Sequence, residues 1–373
     1  MKARVMVQVA DRRLEEADRE IPKVGVDQAL LKVEANGLCG SDVEQYKGHF
    51  VQKGLVEYPL IPGHEAVGVI AEIGADAAKS WGVKVGDRVA LEPHLTCGRC
   101  ARCLQGNYHL CRSLLPIKQP PSYGYIPLSY GHGLWGGYSE YIHLHARTIL
   151  HKLPAELPLE LSTMYQAIAA GIRWSLHVPK TTFGDTVLIL GPGQRGLGAV
   201  IACANAGVKQ IIVTGLERDR RKLDLARTFG AHHTIVADRE NVVERVMAIT
   251  GGRGADVALD VTPSATQPVV DAINSVRNGG QVVLAGIKGG TKKVEIDTDT
   301  LVFREVSIKG LWTQGIDAYS QAIELLSRNY KKLAPMHTHE FPLSKVATAI
   351  EIMAGEHPGQ EAISISIHPG RMG

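Results

Sequence analysis

The middle of the chain alternates short apolar runs with amphipathic segments. The apolar runs TVLILG, QIIVTG, ADVALDV and QVVLAG are bounded by turn residues, which is typical of fully buried strands. Between them lie segments such as GLGAVIACANAG and DRRKLDLARTFG, in which apolar residues recur at helical spacing. Strands that alternate with helices at this pace indicate parallel βαβ units. The pattern therefore predicts an α/β fold with a doubly wound parallel sheet over residues 161–302.

The regions on either side have a different pattern of apolar and polar residues. Residues 1–160 contain short β-branched runs such as ALLKVEA and HEAVGVIAEIG, separated by Gly and Pro, and KVGDRVALEP predicts a turn that enters a strand. This predicts a mostly β, irregular domain. After residue 302 come a strand at VSIKGLW, a helix around AYSQAIELLSRN and a closing ISISI. We expect residues 303–373 to return largely to the first domain.

Composition narrows the class of protein. The chain has 373 residues, of which 45% are hydrophobic and 21% charged, which is long enough for about two domains with their own cores. The 41 Lys and Arg residues exceed the 38 Asp and Glu residues by only three and are scattered, which argues against a nucleic-acid partner. We find no apolar segment typical of a signal peptide or a membrane span. We therefore expect a cytoplasmic protein with a small-molecule substrate.

Four of the six cysteines lie within fifteen residues. Cys97, Cys100, Cys103 and Cys111 form the pattern C-x2-C-x2-C-x7-C. In a reducing compartment such a cluster favours metal ligands over disulfides, with free or redox-active thiols as the alternative. Four thiolates make a closed tetrahedral zinc site with no position for substrate. The spacing therefore predicts a structural zinc in a lobe at residues 93–114.

The first strand of the βαβ region runs into a glycine-rich loop. Gly191, Gly193 and Gly196 match the pattern G-x-G-x-x-G, with the strand TVLIL before them and a predicted helix after them. These glycines allow a tight turn, close approach of a pyrophosphate and close packing of helix on strand. The helix N-terminus favours the phosphate charge. The loop predicts dinucleotide binding in a Rossmann domain.

The end of the second strand does not by itself decide between NAD and NADP. An acidic residue there usually binds the adenosine ribose, but the strand ends in Gly215. The missing charge and the following Arg218, Arg220 and Arg221 suit NADP, whereas Glu217 suits NAD because it binds ribose or repels a 2′-phosphate. We favour NAD over NADP at this position.

The two remaining cysteines differ in their surroundings. Cys203 lies within GLGAVIACANAG, where a buried small side chain is the simplest interpretation. Cys39 lies in a loop after a strand, and His64 follows in PGHE. A thiolate and an imidazole are typical zinc ligands; Ser41 is placed to move a proton, and Asp42 to hold the far nitrogen of His64.

The ordered set of motifs resembles a known family. CGSD, GHE, KVGDRV, the four-cysteine lobe, GGYSEY and GPGQRGLG occur in the order found in the zinc-dependent medium-chain alcohol and polyol dehydrogenases, and the resemblance spans almost the whole chain. It implies a GroES-like catalytic domain built from both chain ends, a Rossmann domain between them, and a homodimer or homotetramer. It also implies hydride transfer between a zinc-bound secondary alcohol or polyol and NAD or NADP, with one catalytic and one structural zinc ion per chain.

The resemblance fails at the third ligand of the catalytic zinc. Relatives place a Cys, Glu or Asp where this chain has Gln166, and an amide is a weaker ligand. Three assignments stay open: Gln166 directly or through water, Glu65, or a shifted register that brings in Glu160. Glu44 also replaces a histidine that passes the proton to solvent in many relatives, and His49 is the candidate replacement.

The substrate is the least determined feature. Tyr46, Phe50, Trp135 and Trp312 are candidates for lining the cleft that the resemblance implies. Loops at 260–263 and 285–287, including Gly286, follow strands and are expected to touch the nicotinamide. Two other functions fit parts of the sequence: a zinc-free enone or quinone reductase of the same superfamily, and a non-catalytic dinucleotide-binding protein with structural zinc only.

Overall fold

A computed structural model describes residues 1–114, 121–289 and 292–371. In these residues the strands are β1 (Lys2–Ala10), β2 (Arg13–Glu20), β3 (Ala29–Leu38), β4 (Glu65–Ile73), β5 (Arg88–Leu91), β6 (Tyr141–Leu144), β7 (Leu150–Lys152), β8 (Thr186–Leu190), β9 (Gln210–Gly215), β10 (His233–Val236), β11 (Ala255–Asp260), β12 (Val276–Leu284), β13 (Ser307–Gly310), β14 (His337–Pro342) and β15 (Ser364–His368). The helices are α1 (Gly40–Tyr46), α2 (His49–Gln52), α3 (Ala75–Trp81), α4 (Ala101–Leu104), α5 (Leu159–Ser162), α6 (Tyr165–Ile172), α7 (Gln194–Asn205), α8 (Arg220–Phe229), α9 (Val242–Ile249), α10 (Gln267–Ser275), α11 (Thr298–Phe303), α12 (Ile316–Leu333) and α13 (Val346–Met353). Among the described residues, no helix combines the length and apolar character that a membrane crossing requires.

The chain folds into two compact units. The first contains Met1–Met164, Leu326–Tyr330 and His337–Gly373, and the second contains Tyr165–Leu325 and Lys331–Met336. We expected the chain to leave the second domain after residue 302. β13 follows that point but pairs with β12, so it lies in the second unit.

The second unit contains a six-stranded parallel sheet. Its strand order is β10-β9-β8-β11-β12-β13, and the order reverses between β8 and β11. Both of these strands are buried along their whole length, as is typical of central strands in a parallel sheet. The doubly wound parallel sheet predicted from the sequence is confirmed. In such sheets a ligand binds beyond the carboxyl ends of the strands at the reversal point.

The first unit is mostly β. Its seven-stranded sheet has the order β14-β15-β3-β4-β5-β7, with β6 also paired to β3. β15 pairs antiparallel with β3, so strands from both ends of the chain lie side by side. β3 and β4 pair antiparallel with Gly37 opposite Glu65, which brings the residue after β3 close to the residue before β4. That edge holds the first candidate site.

Candidate metal and cofactor sites

Cys39, His64 and Glu65 form a buried cluster. Cys39 follows β3, His64 precedes β4, and Glu65 begins β4, so the strand pairing brings all three together. One ligand atom from each lies within 4.8 Å of the others, and Cys39 Sγ is 3.3 Å from His64 Nε2. All three are at most 6% exposed. A thiolate, an imidazole and a carboxylate are a donor set that zinc prefers, so the cluster fits this metal.

Asp42 orients this cluster from α1. One carboxylate oxygen accepts a hydrogen bond from the Cys39 backbone N–H at 2.9 Å, and the other lies 3.5 Å from His64 Nδ1. Burial raises the pKa of Asp42, but the charge and hydrogen bond of His64 and the Cys39 amide outweigh it and lower the pKa. The ionised carboxylate therefore holds the His64 ring with Nε2 on the side of Cys39, as a metal-binding histidine requires.

Two hydroxyl groups border the same cluster. Ser41 Oγ lies 2.8 Å from Cys39 Sγ and 3.2 Å from His64 Nε2. The Tyr125 hydroxyl lies 3.3 Å from His64 Nδ1, and its ring centroid lies 5.1 Å from that of His64. We did not single out Tyr125 from the sequence, because its segment PSYGYIPL carries no motif and the tyrosine reaches the site only through the folding of a long loop.

The candidates for a third zinc ligand lie in different places. Glu65 belongs to the cluster, with a carboxylate oxygen 4.0 Å from His64 Nε2. Glu160 acts electrostatically on His337 and His368, and within the described residues it is absent from the metal-type groups. Gln166 is the second residue of α6 in the second unit, where its side chain is buried and donates to the Tyr165 hydroxyl at 3.2 Å.

The residues proposed for a proton path and for substrate contact separate into two groups. Glu44 is buried and accepts a hydrogen bond from His49 Nδ1 at 2.7 Å, and His49 is partly exposed. Phe50 is buried with its ring 6.1 Å from that of Tyr125. Tyr46 and Trp135, by contrast, are buried within hydrophobic clusters, and Trp312 is 46% exposed in the second unit.

The four remaining cysteines of the first unit also form a cluster. The sulfur atoms of Cys97, Cys100, Cys103 and Cys111 lie within 4.8 Å of one another. Their closest separations are 3.5–3.9 Å, far longer than a disulfide bond. The backbone N–H of Arg99 and that of Cys100 lower the pKa of Cys97 to about 6, whereas burial raises the pKa of Cys103 to about 12. A closed four-thiolate zinc site fits this arrangement.

The glycine-rich loop of the second unit leaves room for a ligand. Gly191 has a φ of +105° at the end of β8, a conformation that favours glycine. A Cβ at Gly196 would lie 1.9 Å from the Gly191 carbonyl oxygen, whereas a Cβ at Gly193 would meet no atom within 4 Å. Gly193 also precedes the first turn of α7. The loop therefore fits a pyrophosphate approaching the start of this helix.

The end of β9 carries an ion-pair network. Glu217 accepts hydrogen bonds from Arg220 Nε at 2.5 Å and Nη2 at 3.0 Å, and Arg239 lies 3.6 Å away. The Arg220 hydrogen bond is the main reason that the pKa of Glu217 is lowered. A Cβ at Gly215 would lie 2.8 Å from Pro192, so packing as well as charge explains glycine there.

The two loops that follow β11 and β12 touch each other. A Cβ at Gly286 would lie 2.3 Å from the Thr262 carbonyl oxygen. Lys288 Nζ lies 2.7 Å from a carboxylate oxygen of the fully buried Asp260 and 2.9 Å from Thr262 Oγ1. We did not single out Lys288 from the sequence, because it belongs to no motif.

Comparison with known proteins agrees with these sites. A family model described as the alcohol dehydrogenase GroES-like domain matches residues 25–155, and one described as a zinc-binding dehydrogenase matches residues 196–328. The chain is 38% identical over 358 residues to a Mycobacterium tuberculosis protein named "Probable alcohol dehydrogenase", covering 95% of each chain. It is 31% identical over 373 residues to sorbitol dehydrogenase of Bacillus subtilis, covering 100% of this chain and 98% of that one. The crystal structure of an alcohol dehydrogenase from Thermotoga maritima superposes with a TM-score of 0.86 at 27% identity over 99% of each chain.

A GroES-like domain, a Rossmann-type sheet and two clusters of metal-binding side chains define a zinc-dependent oxidoreductase. The chain belongs to the zinc-dependent medium-chain alcohol dehydrogenase family. It is an enzyme of alcohol or polyol oxidoreduction that uses zinc and a nicotinamide dinucleotide. The resemblance and the function predicted from the sequence are confirmed, and the zinc-free reductase and the non-catalytic protein are not favoured.

Proposed function

We propose that Cys39 and His64 hold a catalytic zinc ion and that the four-cysteine cluster holds a separate structural one. The observation that carries this proposal is the convergence of Cys39, His64 and Glu65 in one buried cluster that shares no residue with the other. When bound, zinc supplies a Lewis acid that favours proton loss from an alcohol near neutral pH, and the nicotinamide accepts the hydride.

The surrounding residues have distinct proposed roles. Asp42 holds the imidazole of His64 in its binding orientation. Ser41 accepts the proton of the substrate hydroxyl, since its own hydroxyl borders both Cys39 and His64. His49, partly exposed and paired with Glu44, is the candidate for passing that proton to solvent.

Glu65 and Gln166 are the proposed additional protein ligands. The position of Glu65 beside His64 supports the first. The second rests on the alignment of Gln166 with the ligand position of polyol dehydrogenases. A carboxylate is the stronger ligand of the two.

The dinucleotide is proposed to bind at the carboxyl edge of the parallel sheet, with NAD favoured over NADP. The proposed contacts are Gly191, Gly193, Gly196, Gly215, Glu217, Arg220 and Gly286. The open space at Gly193 supports the pyrophosphate position. Glu217 supports NAD because its carboxylate neutralises Arg220 and would repel a 2′-phosphate.

The cellular setting is also a proposal. We infer a cytoplasmic location, supported by two clusters whose cysteines must stay reduced to bind metal. We also propose a homodimer or homotetramer, carried over from the family resemblance. Residues 1–160 and the later part of 303–373 are the proposed main parts of the catalytic domain, since the beginning of 303–373 belongs to the second unit.

Turnover of a panel of secondary alcohols and polyols with NAD and NADP tests this function. We expect wild-type protein to reduce NAD with at least one member of the panel, and Cys39→Ser to lose this activity because it removes a proposed ligand. Cys203→Ser is the matched control, since Cys203 is fully buried in α7 and burial raises the pKa of its thiol to about 12. Alcohol oxidation by Cys39→Ser at the wild-type rate would contradict the proposal.

A further inference from the structure

Thr262 lies between the loops that follow two neighbouring strands of the parallel sheet. It belongs to the loop after β11. A Cβ at Gly191, in the loop after β8, would lie 3.0 Å from Thr262 Cγ2, and a Cβ at Gly286, in the loop after β12, would lie 2.3 Å from the Thr262 carbonyl oxygen. The strand order places these loops side by side at the carboxyl edge of the sheet, where the order reverses. The position of Thr262 therefore affects how the loops meet at the edge where a dinucleotide is proposed to bind.

The ammonium group of Lys288 fixes Thr262 in place. Lys288 Nζ donates to the Thr262 carbonyl oxygen at 2.6 Å and to Thr262 Oγ1 at 2.9 Å, and it lies 2.7 Å from one carboxylate oxygen of Asp260. The other oxygen of Asp260 accepts hydrogen bonds from the Thr262 backbone N–H at 3.0 Å and from Thr262 Oγ1 at 2.6 Å. An ammonium has three protons, and these partners occupy all of them. Lys288 therefore acts on the loop after β11 rather than on a phosphate.

The ion pair between Lys288 and Asp260 is better suited to fixing a geometry than to stabilising the fold. Asp260 is fully buried, and the Lys288 side chain is only 14% exposed. Removing two charges from water costs free energy that their attraction only partly returns, and apolar side chains of similar size often hold a fold equally well. A hydrogen-bonded polar network, in contrast, specifies one arrangement of the groups that it joins.

We propose that Lys288 is a positioning residue for the nicotinamide end of the dinucleotide, because it joins the loop after β11 to the loop after β12. The inference rests on the proposed function, which places the nicotinamide half against these loops. Backbone bonds also join them: the Ser264 N–H donates to the Ile287 carbonyl oxygen at 3.0 Å, and the Gly286 N–H donates to the Asp260 carbonyl oxygen at 3.0 Å. A loop that is already fixed in its binding conformation does not have to be ordered when the ligand binds, which raises affinity.

The two halves of the dinucleotide should respond differently to Lys288. The pyrophosphate is proposed to bind at Gly193, whereas the bonds of Lys288 end on the loop after β11. Thr262 meets the position of Gly191 through its methyl group Cγ2, and a change at Lys288 leaves that methyl group in place. ADP-ribose contains the adenosine and the pyrophosphate but lacks the nicotinamide. Its binding, compared with that of NADH, therefore isolates the half on which Lys288 is proposed to act.

Binding of NADH and ADP-ribose to the full zinc-loaded chain tests the inference. We would measure both Kd values by calorimetry in wild type and in the double variant Asp260→Asn/Lys288→Met, which leaves no buried charge without its partner. We expect wild type to bind NADH more tightly than ADP-ribose. The double variant should weaken NADH binding by about tenfold and change ADP-ribose binding by less than about twofold. Thr262→Val, which removes only the hydroxyl and keeps the methyl group, should weaken NADH binding selectively by about threefold.

The control is a second lysine of the same sheet. Lys309 is exposed on β13, so Lys309→Met should keep both affinities at the wild-type values. Selective loss of NADH affinity in the double variant supports the inference, and Thr262→Val decides in the same way if the double variant does not fold.

Three outcomes would overturn the positioning role of Lys288. These are an equal loss of affinity for both ligands, which marks a purely structural ion pair, an unchanged affinity for NADH, and a wild type that binds NADH no more tightly than ADP-ribose. Binding of ADP-ribose by wild type in any of these cases would leave the proposed dinucleotide site standing. A wild type that binds neither ligand would count against that site and against the inference together.

Discussion

Glu217, at the end of β9, is the residue that we propose to favour NAD over NADP. Arg220 donates two hydrogen bonds to its carboxylate, and Arg239 approaches it from the loop after β10. The sequence shows these charges but not their pairing, since Arg218 and Arg221 also lie close to Glu217 in the chain. In the structure Glu217 pairs with both Arg220 and Arg239.

Removing the Glu217 charge should change cofactor preference. We expect Glu217→Gln to raise the NADP-to-NAD ratio of kcat/KM by about tenfold or more, because a like-charge contact costs on the order of a few kcal/mol. The ratio is measured by varying each cofactor at fixed alcohol concentration. Asp224→Asn is the control, since Asp224 is an exposed carboxylate on the same helix as Arg220. An unchanged ratio in Glu217→Gln would show that this carboxylate does not face the adenosine ribose.

Residues of the candidate site could be predicted from the sequence where a short motif marks them. Cys39 with His64, and the four clustered cysteines, follow from short spacings and from the chemistry of zinc ligands. Tyr125 and Lys288 did not, because a tyrosine or lysine in a loop has no spacing that marks it. Their positions depend on the path of long loops, which a local pattern does not determine.

Asp256 joins three strands of the parallel sheet at their amino ends. Its buried carboxylate accepts hydrogen bonds from the Thr186 backbone N–H at 2.8 Å, Arg277 Nε at 2.6 Å and Arg253 Nη2 at 2.5 Å. Burial raises the pKa of Asp256, but these partners outweigh it and the pKa is lowered. A lowered pKa in the folded state means that the ionised group stabilises the fold above the unfolded pKa of about 3.9.

The stability of the sheet should therefore depend on this carboxylate and on pH. We expect Asp256→Asn to lower the free energy of unfolding at pH 7 by roughly 1–2 kcal/mol, since it weakens bonds to charged partners. The difference from wild type should shrink as pH falls below about 4, because the wild-type carboxylate then becomes protonated. Urea unfolding from pH 7 to pH 3.5 measures both effects.

Asp271 provides the control for the Asp256 experiment. It lies on α10 with its pKa raised by burial, so Asp271→Asn should not reduce stability at pH 7. A loss in Asp256→Asn that stayed constant down to pH 3.5 would contradict the assigned role of the ionised carboxylate.

The elements themselves were unequally predictable. β8 and β9 follow from nearly continuous apolar runs, because a strand buried on both faces is mostly apolar. β2, with the sequence RLEEADRE, has no such signal, and it forms through pairing with β1 while remaining largely exposed. Strands at an edge need only one partner, so their sequences are weakly constrained by burial.

At the scale of the whole molecule, the path of the chain brings distant segments into one sheet. Ile365 of β15 lies opposite Leu38, the residue before Cys39. In the sequence, 326 residues lie between the two. The sequence predicts a final strand at ISISI but not its partner, because pairing across such a distance leaves no local pattern. β15 and β14 thereby support the strand that ends at the candidate metal cluster.

The positions of the six cysteines separate the two proposed zinc sites. Five of the six lie in the first unit, where they form two separate metal-type groups, and Cys203 lies alone in the second. One group has four thiols and is closed. The other has one thiol, and its remaining donors are an imidazole and a carboxylate, which leaves room for a substrate oxygen.

The number of zinc ions per chain tests this division most directly. Elemental analysis of purified wild type should find two zinc ions per chain, and Cys39→Ser should retain one, because the four-cysteine cluster is unaffected. Cys203→Ser should keep two. One zinc ion in wild type, or two in Cys39→Ser, would contradict the assignment of a catalytic zinc to Cys39 and His64.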